Sequence, residues 1–131
     1  MANALMPRTV ALVNEWLKAQ PAITAVCGKR ISYALGGTYP AIRLADIGPI
    51  TRGPEEALRR IQVECWADDY DTAERLAATV ESVLPEAVGA WPSGYCAGGS
   101  VESGPFASPD PNSVRYRHQL DVALWLYPST I

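Results

Sequence analysis

The residue types able to do chemistry are few and scattered in this sequence. Cysteines stand at Cys27, Cys65 and Cys96, and His118 is the single histidine. A thiol nucleophile needs a neighbouring base, so a small cysteine hydrolase using Cys96 and His118 is the catalytic arrangement to consider, although no local signature surrounds either residue. No CxxC pair occurs, and one histidine cannot complete a Cys/His zinc set at any usual spacing. Free, reduced and buried cysteines are therefore expected, serving as small hydrophobes. Asp68, Asp69 and Asp71 are close enough in sequence to hold a divalent cation with help from elsewhere. The glycine and terminal glutamate of an EF-hand are missing, and turn and helix-cap chemistry accounts for all three carboxylates. A GxSxG elbow, a GxxxxGK[ST] phosphate loop and a dinucleotide glycine fingerprint are all absent. The expectation is no catalytic residue, no metal and no cofactor.

Composition narrows the class further. The chain has 131 residues, 48% of them apolar and 19% charged, which suits one domain over residues 1–131 with a core of its own. Eleven basic against fourteen acidic residues leave a net charge of −3. That balance lacks the basic excess of a phosphate-neutralising protein, and the basic residues form no stripe with interleaved aromatics, so sequence-specific nucleic-acid binding is not expected. No apolar stretch reaches the length of a membrane span, and Met1 to Pro7 carries no secretory pattern. The reading is a soluble, intracellular chain.

The elements that must position these residues follow from periodicity. Leu12, Val13, Trp16 and Leu17 predict a helix from about Pro7 to Gln20, stopped by Pro21. The stretch AITAVC after it reads either as a further helical turn or as irregular chain, with Gly28 a stop and 30–33 a short extended piece. Residues 40–47, PAIRLADI, read as a strand. Residues 58–67, LRRIQVECWA, alternate with Ile61, Val63, Cys65 and Ala67 inward and Gln62, Glu64 and Trp66 outward. The connection between these strands is longer than a tight hairpin needs, which predicts an extended arm over 48–60. Asp71 with Glu74 opens a second helix as a capping-box-like pair, and Ala73, Leu76, Ala77, Val80, Val83 and Leu84 form its stripe before Pro85. Residues 86–114 are rich in Gly, Pro and Ser; one strand passes between Tyr95 and Ala107 in an undefined register. The last strand, 115–127, alternates with Leu120, Val122, Leu124 and Leu126 inward.

Together these predict an α+β fold: a mostly antiparallel four- to five-stranded sheet with two amphipathic helices packed on one face. The other face mixes Gln62, Glu64, Gln119 and Asp121 with Trp66, Trp125 and Tyr127. Large aromatics among polar groups on an outward face suit a protein–protein contact, and cover by a loop of the same chain is the alternative. The arm adds both signs of charge through Arg52, Glu55, Glu56, Arg59 and Arg60. The candidate interface is therefore Arg52, Glu55, Glu56, Arg59, Arg60, Trp66, Trp125 and Tyr127. An adaptor module using the Trp66/Trp125 patch is a further reading.

The order and spacing of these elements resemble the tail terminator (tail completion) proteins of long-tailed bacteriophages. RIQVECWADDYDTAERLAATVESVL, residues 60–84, carries most of the likeness: an alternating strand ending in Trp, an acidic turn, then an Ala-rich helix. The early helix before PAITAVCGKRI, the PAIRLADI strand and the closing RYRHQLDVALWLYP strand extend it over nearly the whole chain. The resemblance implies a non-enzymatic structural subunit that closes into a homo-hexameric ring on the head-proximal end of the tail tube. Such a ring ends tube growth, docks the head-side connector and lets DNA pass. Its partners are further copies of itself, the tail tube protein and the head–tail connector protein; its place is the virion, after assembly in the bacterial host cytoplasm. Another head–tail neck or connector component is the nearest alternative.

Overall fold

The computed structural model describes residues 4–52 and 56–130. A two-residue strand β1 (Ala4–Leu5) leads into helix α1 (Thr9–Lys18), whose Leu12, Val13, Trp16 and Leu17 are all buried. Pro21 cannot continue α1 because its ring disfavours helical geometry at Gln20, which is extended; Pro21 instead starts a second helix, α2 (Pro21–Cys27). Gly28 ends α2 at φ +60°, a conformation that only glycine adopts cheaply. Strand β2 (Ile31–Ser32) follows, then β3 (Ala41–Arg52) and β4 (Ala57–Ala67).

Helix α3 (Tyr70–Val83) is capped by Asp69, whose carboxylate accepts the Thr72 N–H at 2.9 Å and the Thr72 hydroxyl. The predicted pair Asp71 and Glu74 does not make the cap. Asp71 lies one position inside the helix and pairs with Arg75 one turn on, at 3.5 Å. A short 3₁₀ turn at Leu84–Glu86 leads to β5 (Val88–Trp91), β6 (Gly94–Ala107), β7 (Tyr116–Tyr127) and β8 (Ser129–Thr130).

The main sheet has the order β2-β3-β4-β7-β6-β5, antiparallel except for the β2–β3 edge; β1 and β8 pair separately. Helices α1 and α3 pack against one face of the main sheet, and α2 packs against both of them. Leu12, Leu17, Ile23, Ile42, Ile61, Val63, Leu76, Val80, Leu120, Val122 and Leu124 interlock there in one core. Glu15 fastens α1 to the β5–β6 turn, accepting the Ser93 N–H at 3.1 Å and its hydroxyl at 2.6 Å.

The fold is α+β and mostly antiparallel, as its alternation predicts, with two corrections. Among the described residues the main sheet has six strands, not four to five, and there are three α-helices, not two. The extra elements are too short for periodicity to register: β2 has two residues, β5 four and α2 seven. In β6 the pairing shifts register three times between Cys96 and Phe106, so its side chains do not keep one phase. Gly99 permits one close approach in that strand, because a methyl there would collide with the Ala123 carbonyl oxygen.

The arm over 48–60 is part of the sheet. β3 and β4 stay paired as far as Arg52 and Ala57, with two bulges on β3. Each bulge leaves one residue without a partner on β4, and in both cases it is an isoleucine, Ile47 or Ile50, exposed to solvent.

Candidate interaction face

The face turned away from the helices divides into a closed end and an open end. At the closed end, Glu64 and Trp66 alternate outward from β4, yet they are only 5% and 4% exposed. Glu64 organises this end. One carboxylate oxygen accepts the Trp66 indole N–H at 3.1 Å; the other faces Arg43 at 3.2 Å and Arg117 at 4.0 Å. A carboxylate buried this far must be paired, and β3 and β7, lying either side of β4, each supply one cation. The Arg117 guanidinium also lies over the Trp66 ring, 5.2 Å from its centroid. Arg117 then donates to the Ser108 carbonyl at 2.6 Å and hydroxyl at 3.1 Å, and Ser108 donates to Gln119 at 2.7 Å. Ser108, just past the end of β6, thereby anchors the Arg117 guanidinium over the indole.

Midway along the face, Arg60 reaches Glu102 at 3.8 Å and Ser103 donates to Asp121 at 3.3 Å. Beyond them the cover stops. Trp125 is 39% exposed beside its cross-strand partner Leu58. Tyr127 is half-buried and meets Tyr95 edge to face, with centroids 5.9 Å apart. The nearby Glu56 carboxylate raises the Tyr127 pKa by its charge, and the two side chains hydrogen-bond. The Ile47 and Ile50 bulges lie on β3 towards the same end.

The structure thus separates the residues that the sequence reading grouped. Trp125 and Tyr127 share the open end with Glu56. Trp66 does not belong with them: it is covered by Arg117 and cannot contribute a free surface. Arg59 and Arg60, adjacent in a strand, point to opposite faces; Arg59 takes the phase of Ala57 and Ile61, on the helix side. Arg52 is described through its backbone pairing with Ala57, and Glu55 lies outside the described residues. The sequence reading missed Ile47 and Ile50. The Gly48–Pro49 dipeptide beside them was the available sign of a bulge.

The residues weighed for catalysis are not brought together. Cys96 pairs with Leu126 across the β6–β7 ladder, whereas His118 pairs with Ala107, eight residues further along β7. That spacing is about 26 Å. All three thiols are buried and free, and burial pushes each pKa up, away from the reactive thiolate. The acidic turn is divided among separate tasks: Asp68 binds Arg115 at 2.9 Å, Asp69 caps α3 and Asp71 meets Arg75. Among the described residues no helix is long and apolar enough to cross a membrane.

This arrangement can bind another surface, and comparison with known proteins bears on which. No protein-family description matches the sequence, and no curated protein matches it. Among solved structures, a chain from the virion of a native gene transfer agent particle matches with a TM-score of 0.72. The match covers 89% of this chain and 92% of that one, at 18% identity. This fold occurs in a virion. The likeness is one of fold and extends over most of both chains.

Proposed function

We propose that this chain is a structural protein of a phage-like virion, and within it the tail terminator. It would form a ring on the head-proximal end of the tail tube that stops tube growth and docks the head-side connector. The observation that carries the reading is the near-complete, two-way fold match to a virion chain. The sequence resemblance to tail terminators, drawn from residues 60–84 and the flanking elements, supplies the finer position. The surface supports an assembly role: one end of the free sheet face is sealed by its own side chains, while the other presents Trp125 and Tyr127, and β3 adds two exposed bulged isoleucines. Exposed apolar groups beside a charged rim suit a protein contact.

Electron microscopy of tails assembled with and without the chain tests the reading. A terminator's absence gives tubes of abnormal and variable length, and adding the purified chain restores a uniform length. Tails of normal length that fail to join heads point instead to a neck or connector component. Tails that are normal and joined overturn both.

A further inference from the structure

The net charge of −3 conceals a one-sided distribution. From Trp16 to Ala45 the chain contains no Asp or Glu, yet Lys18, Lys29, Arg30 and Arg43 all fall there, and Lys18 and Lys29 are its only two lysines. Arg43 turns to Glu64 on the free sheet face. The other three cations line one depression of about 430 Å³ at the β2 edge, with no carboxylate among its lining residues. Among the described residues none of these three forms an ion pair. Like charges gathered without a counter-charge repel one another, and an anion seated between them removes that repulsion.

The fold builds this grouping. Asn14 and Lys18 stand one turn apart on α1, and both line the depression. The Asn14 amide donates to the Ile31 carbonyl at 3.0 Å and fixes α1 against β2. Gly28 turns the chain after α2 and sets Lys29 and Arg30 immediately before β2. The Arg30 Nε donates to the Pro40 carbonyl at 2.8 Å, so the side of the guanidinium that grips a planar carboxylate with two parallel bonds is already used. Two ammonium groups and the free end of Arg30 remain as separate point charges, which suit the several oxygens of a phosphate better than a carboxylate. Gly36 also lines the depression, and nothing lies within 4 Å of where its Cβ would stand, so the main chain is open to a ligand there. In the same loop Tyr33, between the lining residues Ser32 and Ala34, is 72% exposed. An exposed aromatic ring beside a basic depression can take a base together with its phosphate.

We infer that this depression binds the phosphate of a nucleotide, with Lys18, Lys29 and Arg30 as its counter-charges and Tyr33 as a stacking surface for the base. Contacts of this kind read no base sequence. The nucleotide comes either free or as a unit of a nucleic-acid strand, and the chemistry is the same for both. The site lies at the Ala41 end of β3, whereas Thr51, at the other end, pairs with Leu58 beside Trp125. The inference therefore rests neither on the Trp125 surface nor on the ring reading.

The two lysines supply the probe. Reductive dimethylation with carbon-13 keeps their charge and gives the full chain two lysine signals, followed by NMR against sodium phosphate, adenosine monophosphate and a short single-stranded deoxyoligonucleotide. Both signals are expected to shift with the two nucleotide ligands, and phosphate alone should bind more weakly. Lys29→Gln should weaken binding by about tenfold, while Arg75→Gln, the same change of charge on α3, should leave it as it was. Tyr33→Ala should weaken the monophosphate by about fivefold and leave sodium phosphate unchanged. A strand is the ligand if the oligonucleotide binds far more tightly than the monophosphate, with a log–log salt slope of about −2 for three phosphate contacts; equal affinities make it the free nucleotide. Lysine signals that stay in place with all three ligands overturn the inference, as does an equal loss in Arg75→Gln. Displacement of the oligonucleotide by poly-glutamate at matched charge overturns it in favour of an acidic protein segment. None of these failures touches the tail-length test of the terminator reading.

Discussion

Trp66 and Trp125 occupy neighbouring strands, share one phase of the alternation and project from the same sheet face, yet one is 4% exposed and the other 39%. Leu58, the cross-strand partner of Trp125, is eight residues from Trp66 along β4, so the indoles stand about 26 Å apart. Strand geometry treats them alike. What separates them is the material laid over each end. Arg117, held by Ser108, lies over Trp66, and Glu64 takes up its indole N–H. Among the described residues no such lid reaches Trp125. The burial of a sheet face is decided by the side chains that fold over it, here that of the cross-strand partner Arg117, and the same residue type becomes core at one end and surface at the other.

The sharpest way to break this comparison is to truncate each indole. Trp66→Ala removes a buried aromatic and deprives Glu64 of a donor, so a loss of about 3–5 kcal/mol in denaturant unfolding is expected. Trp125→Glu should leave stability within about 1 kcal/mol and yield a folded chain that no longer cosediments with tail tubes. Equal destabilisation by the two variants would show that Trp125 is core. Arg117→Ala tests the lid itself: it uncovers Trp66 and leaves Glu64 with only Arg43 as a cation, for a loss of about 1–3 kcal/mol. Quenching of tryptophan fluorescence by acrylamide should rise with it.

Ile50→Ser sharpens the open end further. It should change stability by no more than about 0.5 kcal/mol while lowering attachment to tail tubes, because the bulge holds that side chain out of the core. The smallest effect belongs to Asp69, an exposed cap just beyond the end of β4. Its hydrogen bonds from Thr72 lower its pKa below the usual carboxylate value, so its contribution is present above the unfolded pKa and lost as pH falls through the folded one. Asp69→Ala should therefore be slightly less stable than wild type at neutral pH, with the gap closing in acid.

The same contrast explains what was legible in the sequence. The stripes of α1, α3 and β7, and that of β4 from Ile61 onward, run unbroken, so their faces could be assigned from spacing alone. β6 could not be placed because its bulges change phase, and Val101 packs on the core while Phe106, in the same strand, is exposed. Trp66 looked like Trp125 because nothing local to either residue encodes the lid; Arg117 and Ser108 come from distant chain. Asp71 with Glu74 has the spacing of a capping pair, but the helix begins at Tyr70, and that makes Asp69 the cap. The bulged isoleucines were hidden for a related reason, since strict period two has no place for an extra residue.

Those bulges have an effect at the margin of the sheet. β2 pairs with only two residues of β3, so from Leu44 onward β3 is the outermost strand. A straight margin of that length invites unrelated strands to add on and grow into fibrous aggregates. Here two kinks interrupt its spacing, and Pro49 lacks the amide hydrogen that a docking strand would need. A margin broken in this way is a poor template for strand addition, so associations through side chains are expected in its place.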